Sequence, residues 1–470
     1  MRYSLLIALC LLCLTGCVHY APKPIATELH LEKLEARALS DPGLLRFIEE
    51  VSGSRPTEWP PRSPDLEALS WVAFYFHPSL EVARAQWAVA RASVKTASAR
   101  PNPTLSAQPG YNFSASGGAS PWIPGFNIDW PIETAGKRGH RMSRAQQLAE
   151  SARWNIHQSA WQARAAVRVA LLDLSIAEQR VTLLQRQLAA AKALSEILNQ
   201  RLKAGAVSRL EVSPFQLGWI KVTSDLADAQ RQAVDAKARL AEAIGLPLQA
   251  LEGITPHIDL TPSTPLQLDT PTAALHKVAL QNRADVRALL SEYAASESAL
   301  RLEIARQYPD VHLGNGYQWD QGDSKWSLGL TLEIPVLHRN QGLIAENLAK
   351  RDEIGARFNA LQSRVIADVD RAMTAYRASK EQVVRTAELI NAHQKQLESM
   401  RSAFAAGAAD QIELRTAELE AAAAELTRLD AQMREQQALG DLQLSLQHPL
   451  NNASILEKNR KDFETPPQKP

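Results

Sequence analysis

The residue types that bind transition metals are scattered along the chain. Eleven histidines are present, and no two of them lie three or four residues apart on a predicted helix. The three cysteines, Cys10, Cys13 and Cys17, all fall within the first seventeen residues. Zinc and cobalt sites need clustered imidazole or thiolate ligands, so the sequence predicts no metal site and no disulfide in the folded body.

Motifs for catalysis and nucleotide binding are also missing from the sequence. Gly136-Lys137 lacks the upstream glycine and the following Ser or Thr of a phosphate-binding loop, and no Gly-x-Ser-x-Gly nucleophile elbow occurs. With 52 basic and 51 acidic side chains, the net charge of +1 gives no electrostatic basis for nucleic-acid binding. We therefore expect a protein without enzymatic activity or cofactor, which depends on a partner for energy.

The N-terminus predicts export and lipid attachment. The apolar run from Leu5 to Leu14 is too short to span a bilayer but is typical of a signal peptide. It ends in Leu14-Thr15-Gly16-Cys17, which resembles a bacterial lipoprotein signal. We expect residues 1–16 to be removed, Cys17 to carry the lipid anchor, and residues 17–62 to form a linker. An ordinary cleaved signal peptide is the alternative.

The chain is an internal duplication. Similar residues recur at an interval of about 206 residues, which shortens to about 204 and then about 202, as short indels in turns would produce. The pairs include Arg100 with Arg306, Pro103 with Pro309, Tyr111 with Tyr317, and Glu211 with Glu413. We expect two copies of one structural unit, over residues 63–250 and 270–447, followed by a disordered tail at 451–470.

Each copy contains segments in which apolar and polar side chains alternate. Residues 122–132 and 326–336 show this pattern with aromatic or large apolar residues on one parity, and the segments before them alternate as well. The sequence therefore predicts one hairpin over 104–132 and another over 310–336. Strands of about ten residues with aromatic ends are typical of transmembrane barrels. A soluble antiparallel sheet is the alternative, and Pro109 would remove a ladder hydrogen bond.

Most of the remaining chain is predicted to be helical. Apolar residues recur at coiled-coil spacing in each copy. This spacing predicts long helices over residues 137–204, 208–244, 342–406 and 410–446. The longest would extend for roughly 100 Å, at about 1.5 Å per residue.

A shorter helix is expected before each hairpin. One would begin at Ser63-Pro64 and end at Arg100, and the other would begin at Thr270-Pro271 and end at Arg306. We expect a break in the first at His77-Pro78, because the residue before a proline is biased away from helical geometry.

These elements require neighbours from other copies of the chain. Four strands cannot close a barrel, since about eight are needed, and an open transmembrane sheet would leave backbone groups unpaired in hydrocarbon. Long helices with a narrow apolar seam also bury too little surface alone. The sequence predicts a mainly α fold with a β-barrel part that several copies share, and leaves their number open.

The order of these elements resembles the TolC family of outer-membrane efflux ducts. The resemblance covers about residues 64–447 and includes the Pro103 and Pro309 segments that lead into strands, and the Gly205 and Gly407 turns. It implies a homotrimer with a twelve-stranded barrel above a twelve-stranded helical tunnel. It also implies docking on an inner-membrane RND pump through a periplasmic adaptor. The chain would then be lipid-anchored in the outer membrane of a Gram-negative bacterium, with its helices in the periplasm.

A shorter resemblance concerns the strand-to-helix junction. Residues 133–139, which include Gly136, Lys137 and Arg138, are similar to the CzcC-like branch that exports cobalt, zinc and cadmium. This resemblance implies heavy-metal cations as the cargo, with drug or solvent efflux and protein secretion as alternatives. The second copy, at 338–342, lacks the Lys-Arg pair. The alternative interpretation is that Lys137 and Arg138 only mark the aqueous boundary of the barrel.

The glycine turns are expected at the periplasmic tip. We expect Glu211 and Glu413, repeated around a ring, to line or flank a periplasmic gate and to favour cations there. Alternatively, each is a first-turn acid that complements its helix dipole. Adaptor docking is expected at the turn residues Leu202, Gly205, Ala206, Phe404, Gly407 and Ala408.

Two other classes of protein remain possible from the sequence. A structural coiled-coil lipoprotein of the periplasm would be water-soluble without Cys17. A periplasmic adaptor would also have paired long helices, but it should carry small soluble β-domains beside a single helical hairpin.

Overall fold

The computed structural model describes residues 19–53, 56, 58–118, 120–260 and 271–448. Cys17 and the tail expected at 451–470 lie outside these residues. The helices are α1 (Thr27–Glu35), α2 (Pro42–Ser52), α3 (Leu66–Phe76), α4 (Pro78–Ser98), α5 (Lys137–Lys203), α6 (Arg209–Ile244), α7 (Thr272–Asn282), α8 (Ala284–Ala305), α9 (Gln341–Ala405) and α10 (Gln411–Leu446). The strands are β1 (Thr104–Ala107), β2 (Gly110–Tyr111), β3 (Trp122–Ile123), β4 (Gly125–Ile132), β5 (Val311–Asp320) and β6 (Asp323–Leu332).

Two antiparallel pairs of long helices dominate the molecule. Helix α5 packs on α6 and α9 packs on α10, each pair joined by a short glycine turn. In α5 the apolar residues Leu184, Ala191, Leu194 and Leu198 recur at threes, fours and sevens, and all are buried. This coiled-coil spacing is what keeps one apolar stripe facing the neighbouring helices along the whole length. The long helices expected from the sequence are confirmed to within one residue at each end.

The helices before each hairpin differ from the prediction at their starts. Helix α3 begins at Leu66 and is capped by Asp65, whose carboxylate accepts the Ala68 amide at 2.8 Å, so the expected Ser63 cap is wrong. Asp65 takes the capping role because its carboxylate can reach the amide of the third residue after it, which has no acceptor within the helix. Helices α4 and α8 end at Ser98 and Ala305, one or two residues before the predicted arginines.

The helix before each hairpin is interrupted at the equivalent position in both copies of the unit. The first break is at His77, before Pro78, as predicted, but a second break at Arg283 was not expected because no proline follows it. Tertiary contacts replace the proline there. The Arg283 guanidinium donates to the Ser445 carbonyl at 3.0 Å, and the Gln447 side chain accepts the Ala284 amide at 2.8 Å.

The segment expected to be a linker is folded. Leu44, Phe47 and Ile48 of α2 are buried in a cluster with residues of α3, α5 and α6, and the Phe47 ring contacts Trp71 and Tyr75 of α3. Arg37 donates from one guanidinium nitrogen to the carbonyls of Phe76 and Gly245, at 3.2 and 3.1 Å, and so joins the ends of α3 and α6. The apolar residues of α2 have helical spacing, and this signal contradicts a linker.

Four strands form a sheet in the order β1-β4-β5-β6. Both copies of the unit contribute to it, because β4 of the first copy pairs with β5 of the second. Proline interrupts the first hairpin: β2 and β3 continue the register of β1 and β4 beyond Pro109 as a separate pair. The second hairpin turns at Gln321-Gly322, where both residues have positive φ. Strand β6 ends at Leu332, so its expected extension to Val336 is wrong.

Candidate functional site

The four-stranded sheet has two chemically different faces. On one face Phe126, Tyr317 and Trp326 lie side by side across three strands, with ring centroids 5.5 and 4.9 Å apart. Trp130, Leu313 and the β6 leucines share that face and are exposed in the single chain. The opposite face is polar and glycine-rich, and there His312 Nδ1 lies 2.7 Å from Asp129 Oδ2. Such a sheet separates an apolar medium from water.

The sheet is open at both sides in a single chain. Strands β1 and β6 are its outer members, and every residue of both is exposed. Their outer backbone groups need partners if the sheet lies in hydrocarbon. A sheet that lies in hydrocarbon would therefore need further strands beside β1 and β6.

The junction between β4 and α5 is an ionic link between the two copies of the unit. Gly136 adopts a left-handed conformation with φ of 72°, and Lys137 starts α5. Lys137 Nζ donates to the Tyr308 carbonyl at 2.6 Å and to Asp310 Oδ1 at 2.8 Å. The lysine side chain is only 9% exposed, so its charge is engaged by Asp310 and the Tyr308 carbonyl more than by solvent. Arg138 donates from Nε to the Ser98 carbonyl at 2.7 Å.

Asp310 is the acceptor at the centre of this junction. Its Oδ1 also accepts the Thr134 amide at 2.9 Å, and the Thr134 hydroxyl donates to the Pro309 carbonyl at 2.6 Å. Burial raises the pKa of Asp310, but the hydrogen bonds from Lys137 and Thr134 outweigh burial and hold this pKa below its ordinary value. The carboxylate therefore stays charged and holds β5 beside the start of α5.

The second junction uses different residues in the same backbone geometry. Asn340 takes the left-handed position, with φ of 61°. Its side-chain amide donates to the carbonyl and the carboxylate of Glu303, at 2.8 and 2.9 Å. The Lys-Arg pair is thus not needed where an asparagine and a glutamate close the junction.

Arginines of α5 reach α10 at several levels along the tunnel wall. Arg168 donates to the carbonyl and side-chain oxygen of Gln436, at 3.1 and 2.8 Å. Burial, and secondarily the nearby Arg164, lower the Arg168 pKa to about 10. Arg180 pairs with Asp430 further along. At the tip, Arg201 and Asp410 share two hydrogen bonds of 2.6 Å.

The tip, formed by the turn between α5 and α6 and the turn between α9 and α10, contains the residues expected to dock an adaptor. Gly205 and Gly407 have φ of 71° and 72°, which a residue with a Cβ rarely adopts, and each closes its helical turn. Ala206 and Ala408 are exposed, and Phe404 is 41% exposed. Leu202 is half-buried beside Leu194 and Leu198. Docking at these residues stays a prediction.

Glu211 and Glu413 form matching helix caps. The Glu211 carboxylate accepts the Ser208 amide at 2.6 Å while the Ser208 hydroxyl accepts the Glu211 amide. Glu413 accepts the Asp410 amide at 2.8 Å in the second capping box. These bonds to the Ser208 backbone and side chain hold the pKa of Glu211 below its ordinary value. The capping role agrees with the first-turn interpretation, and the gate role stays a prediction.

The sequence profile described as "Outer membrane efflux protein" matches residues 76–246 and 275–447. The chain belongs to this family. A curated relative is the cobalt-zinc-cadmium resistance protein CzcC of Cupriavidus metallidurans, 24% identical over 225 residues, which are 47% of this chain and 52% of CzcC. The chain therefore spans about half the length of that relative.

Solved structures share the architecture of this efflux family member. VceC of Vibrio cholerae has 19% identity and a TM-score of 0.66, over 81% of this chain and 95% of VceC. CusC has 18% identity and a TM-score of 0.67, over 84% of this chain and 95% of CusC. The TolC-like fold expected from the sequence, with its helical tunnel and β-barrel part, is confirmed.

Two properties of the described part of this efflux family member bear on its chemistry. No helix there is both long enough and apolar enough to cross a membrane. The same residues contain no group of three or more His, Cys, Asp and Glu side chains placed to hold a metal ion. Sequence reasoning missed the acceptors Asp310 and Asp410, because no local pattern places them beside Lys137 and Arg201.

Proposed function

We propose that this efflux family member is the outer-membrane exit duct of a tripartite efflux system. Three copies would each contribute four strands to a twelve-stranded barrel and their long helices to a periplasmic tunnel. The observation that supports this most directly is the sheet, which is open at β1 and β6 and apolar on one face only. Conduction is passive, and an inner-membrane RND pump supplies the energy through a periplasmic adaptor.

The proposed cargo is a heavy-metal cation such as cobalt, zinc or cadmium. The match to CzcC supports this cargo, as does the Gly136-Lys137-Arg138 junction. A conduit need not chelate its cargo, since tight binding in the duct would slow release. Drug or solvent efflux and type I secretion are the alternatives for the same duct.

The proposed location is the outer membrane, with Cys17 carrying lipid and the helices in the periplasm. The adaptor would dock at the tip, on Leu202, Gly205 and Ala206 of the first turn, and on Phe404, Gly407 and Ala408 of the second. Exposure of the two glycine turns supports docking there. Glu211 and Glu413 would place a ring of negative charge at the same end.

The test compares resistance and assembly in one strain. The gene is deleted in its host, and growth inhibition by zinc, cobalt and cadmium salts is measured beside inhibition by detergents and dyes. We expect the deletion to cause sensitivity to the metal salts and the wild-type gene to restore resistance. The double variant Gly205→Asp with Gly407→Asp should form the trimer but should not restore resistance. Sensitivity to dyes alone would contradict the metal cargo. A Cys17→Ala protein that is a water-soluble monomer would contradict the duct.

A further inference from the structure

Several residues of the two return helices that are 202 positions apart have the same environment. Helix α6 lies against α5 as α10 lies against α9, and equivalent residues of α6 and α10 are buried alike. The buried pairs are Val212 with Leu414, Val222 with Ala424, Ala229 with Ala431, and Leu240 with Leu442. Because these pairs share their burial along the length of the two helices, large apolar pairs that differ in burial need an explanation.

Two apolar pairs near the tip differ strongly. Ile412 and Leu419 of α10 pack against the buried cluster that includes Leu194 of α5. Their equivalents on α6 are Leu210, which is 84% exposed, and Leu217, which is 65% exposed. Large leucines on a helix surface at this spacing form a contiguous apolar stripe, which marks an interaction surface.

The difference arises because α5 has two neighbours at the tip and α9 has one. Helix α5 packs on α6 and on α10, whereas α9 packs along this part of its length on α10. The residues of α9 equivalent to Leu198 and Leu202 are Met400, which is half-buried, and Phe404, which is 41% exposed. Each chain therefore has two exposed leucines on α6 and a partly exposed apolar pair, Met400 and Phe404, on α9.

We propose that Leu210 and Leu217 of one copy pack on Met400 and Phe404 of α9 in a second copy of the chain. This contact would repeat between copies the seam that α10 makes with α5 inside one chain. The proposal depends on the proposed homo-oligomer and adds which residues join its copies at the tip. The occupant is a second copy because the duplicated unit already shows this packing between its own halves.

The two kinds of seam differ in their polar contacts. Inside one chain, Arg201 and Asp410 are joined by two hydrogen bonds of 2.6 Å. The equivalent positions between copies hold Ala403 and Ser208, which cannot form an ion pair. Contacts inside a chain and contacts between chains would therefore differ at the tip. The ion pair stabilises the contact inside each chain, and apolar packing stabilises the contact between chains at the equivalent positions, so the contacts of a trimer would repeat three times around the tip.

Cysteine cross-linking tests this assignment, because the sequence has no cysteine after Cys17. Leu210→Cys with Met400→Cys is treated with a short bifunctional maleimide in purified full-length protein in detergent. The matched control is Leu198→Cys with Ile412→Cys, the equivalent pair inside one chain. We expect covalent dimers and trimers on denaturing gels for the first pair, and a cross-linked product of monomer mass for the control.

Four results are informative. If size exclusion shows an intact trimer and the first pair gives no covalent oligomer while the control reacts, the proposed seam is wrong. Should Leu210→Cys instead cross-link to the adaptor in cells, and not to Met400→Cys, the stripe is a docking surface and the proposal is also overturned. A protein that is monomeric in size exclusion contradicts the proposed function itself. Covalent oligomers that are absent from each single-cysteine variant support the seam.

Discussion

The guanidinium of Arg201 and the carboxylate of Asp410 face each other with two hydrogen bonds of 2.6 Å across the tip. Arg201 is in the last turn of α5, and Asp410 caps α10, so the pair joins the first helical hairpin to the second. Bidentate pairing fixes the relative orientation of the two groups as well as their distance. The end of the tunnel is thereby held at a point where few other polar contacts cross between the hairpins.

Removing Arg201 should loosen the tip locally. For Arg201→Ala we expect several-fold faster amide hydrogen exchange in residues 204–208 and in the first turn of α10, because the turn loses its link to the neighbouring hairpin. Asp410→Asn should increase exchange to a similar extent, because asparagine keeps the helix cap and removes only the charge that pairs with Arg201. The double variant should exchange little faster than either single variant. The control Lys203→Ala changes an exposed lysine of the same helix end. Equal exchange in Arg201→Ala and wild type would contradict a role for the pair.

Acid should produce the same loosening as the substitution. The hydrogen bond from Arg201 holds the pKa of Asp410 below its ordinary value of 3.8. A carboxylate whose pKa is depressed by folding contributes stability above its unfolded pKa, and this contribution is lost as pH falls through the folded pKa. We therefore expect tip exchange protection to be constant from neutral pH down to about pH 4 and to fall below it. A fall near pH 6 would indicate a different titrating group.

The two faces of β6 should respond differently to charge. Leu328 lies on the apolar face and neighbouring Ser327 on the polar face. A lysine facing lipid near the bilayer midplane costs about 2–4 kcal/mol, whereas one facing a lumen is tolerated. We expect Leu328→Lys to lower the amount of assembled trimer in outer-membrane fractions and Ser327→Lys to leave it near wild type. Equal yields from the two variants would argue against a lipid-facing sheet.

The buried link at the junction should matter for stability. Lys137→Met leaves Asp310 without its charged partner, and hydrogen bonds to charged groups contribute about 1.5–3 kcal/mol. Because the Asp310 side chain is 36% exposed, water would replace part of the lost interaction. We therefore expect the free energy of unfolding to fall by an amount at the lower end of this range. The measurement is the melting temperature of the detergent-solubilised protein. Lys350→Met, in an exposed pair with Glu346, is the control and should change it little.

Charge at the tip can be separated from helix capping. Glutamine preserves a capping box, so Glu211→Gln with Glu413→Gln removes two charges per chain and keeps both caps. In planar bilayers we expect the ratio of cation to anion permeability to fall several-fold, because a ring of carboxylates concentrates cations at a constriction. Glu346→Gln, far from the tip, is the control. Unchanged selectivity would confine Glu211 and Glu413 to their capping role.

Periodic elements were predictable and tertiary partners were not. The end of α5 was predicted at 204 and lies at Lys203, because the apolar spacing and the glycine turn are both local signals. The acceptor of Lys137 is 173 residues away, in the second copy of the unit. Nothing in the junction sequence specifies this partner. The same holds for Arg201, whose partner is 209 residues away.

Of two wrong expectations, one could have been avoided from the sequence. The buried residues Leu44, Phe47 and Ile48 have helical spacing, so the folded segment before residue 62 was detectable. The break at Arg283 was not detectable in the same way, since only its contacts with Ser445 and Gln447 show why the helix stops. Helix breaks that are stabilised by remote carbonyls and amides have no local sequence signal.

If Cys17 carries lipid as proposed, the contact of Arg37 with the ends of α3 and α6 limits how far the lipid can be from the middle of the helical part. Nineteen residues separate Cys17 from Arg37, and nine of them are in α1, so the tether could reach about 50 Å if the rest were extended. From the barrel rim at Lys137 to Val167, which shares the cluster with Phe76, α5 rises about 45 Å. With the proposed lipid at the membrane, the segment between Cys17 and Arg37 would therefore have to be almost fully extended.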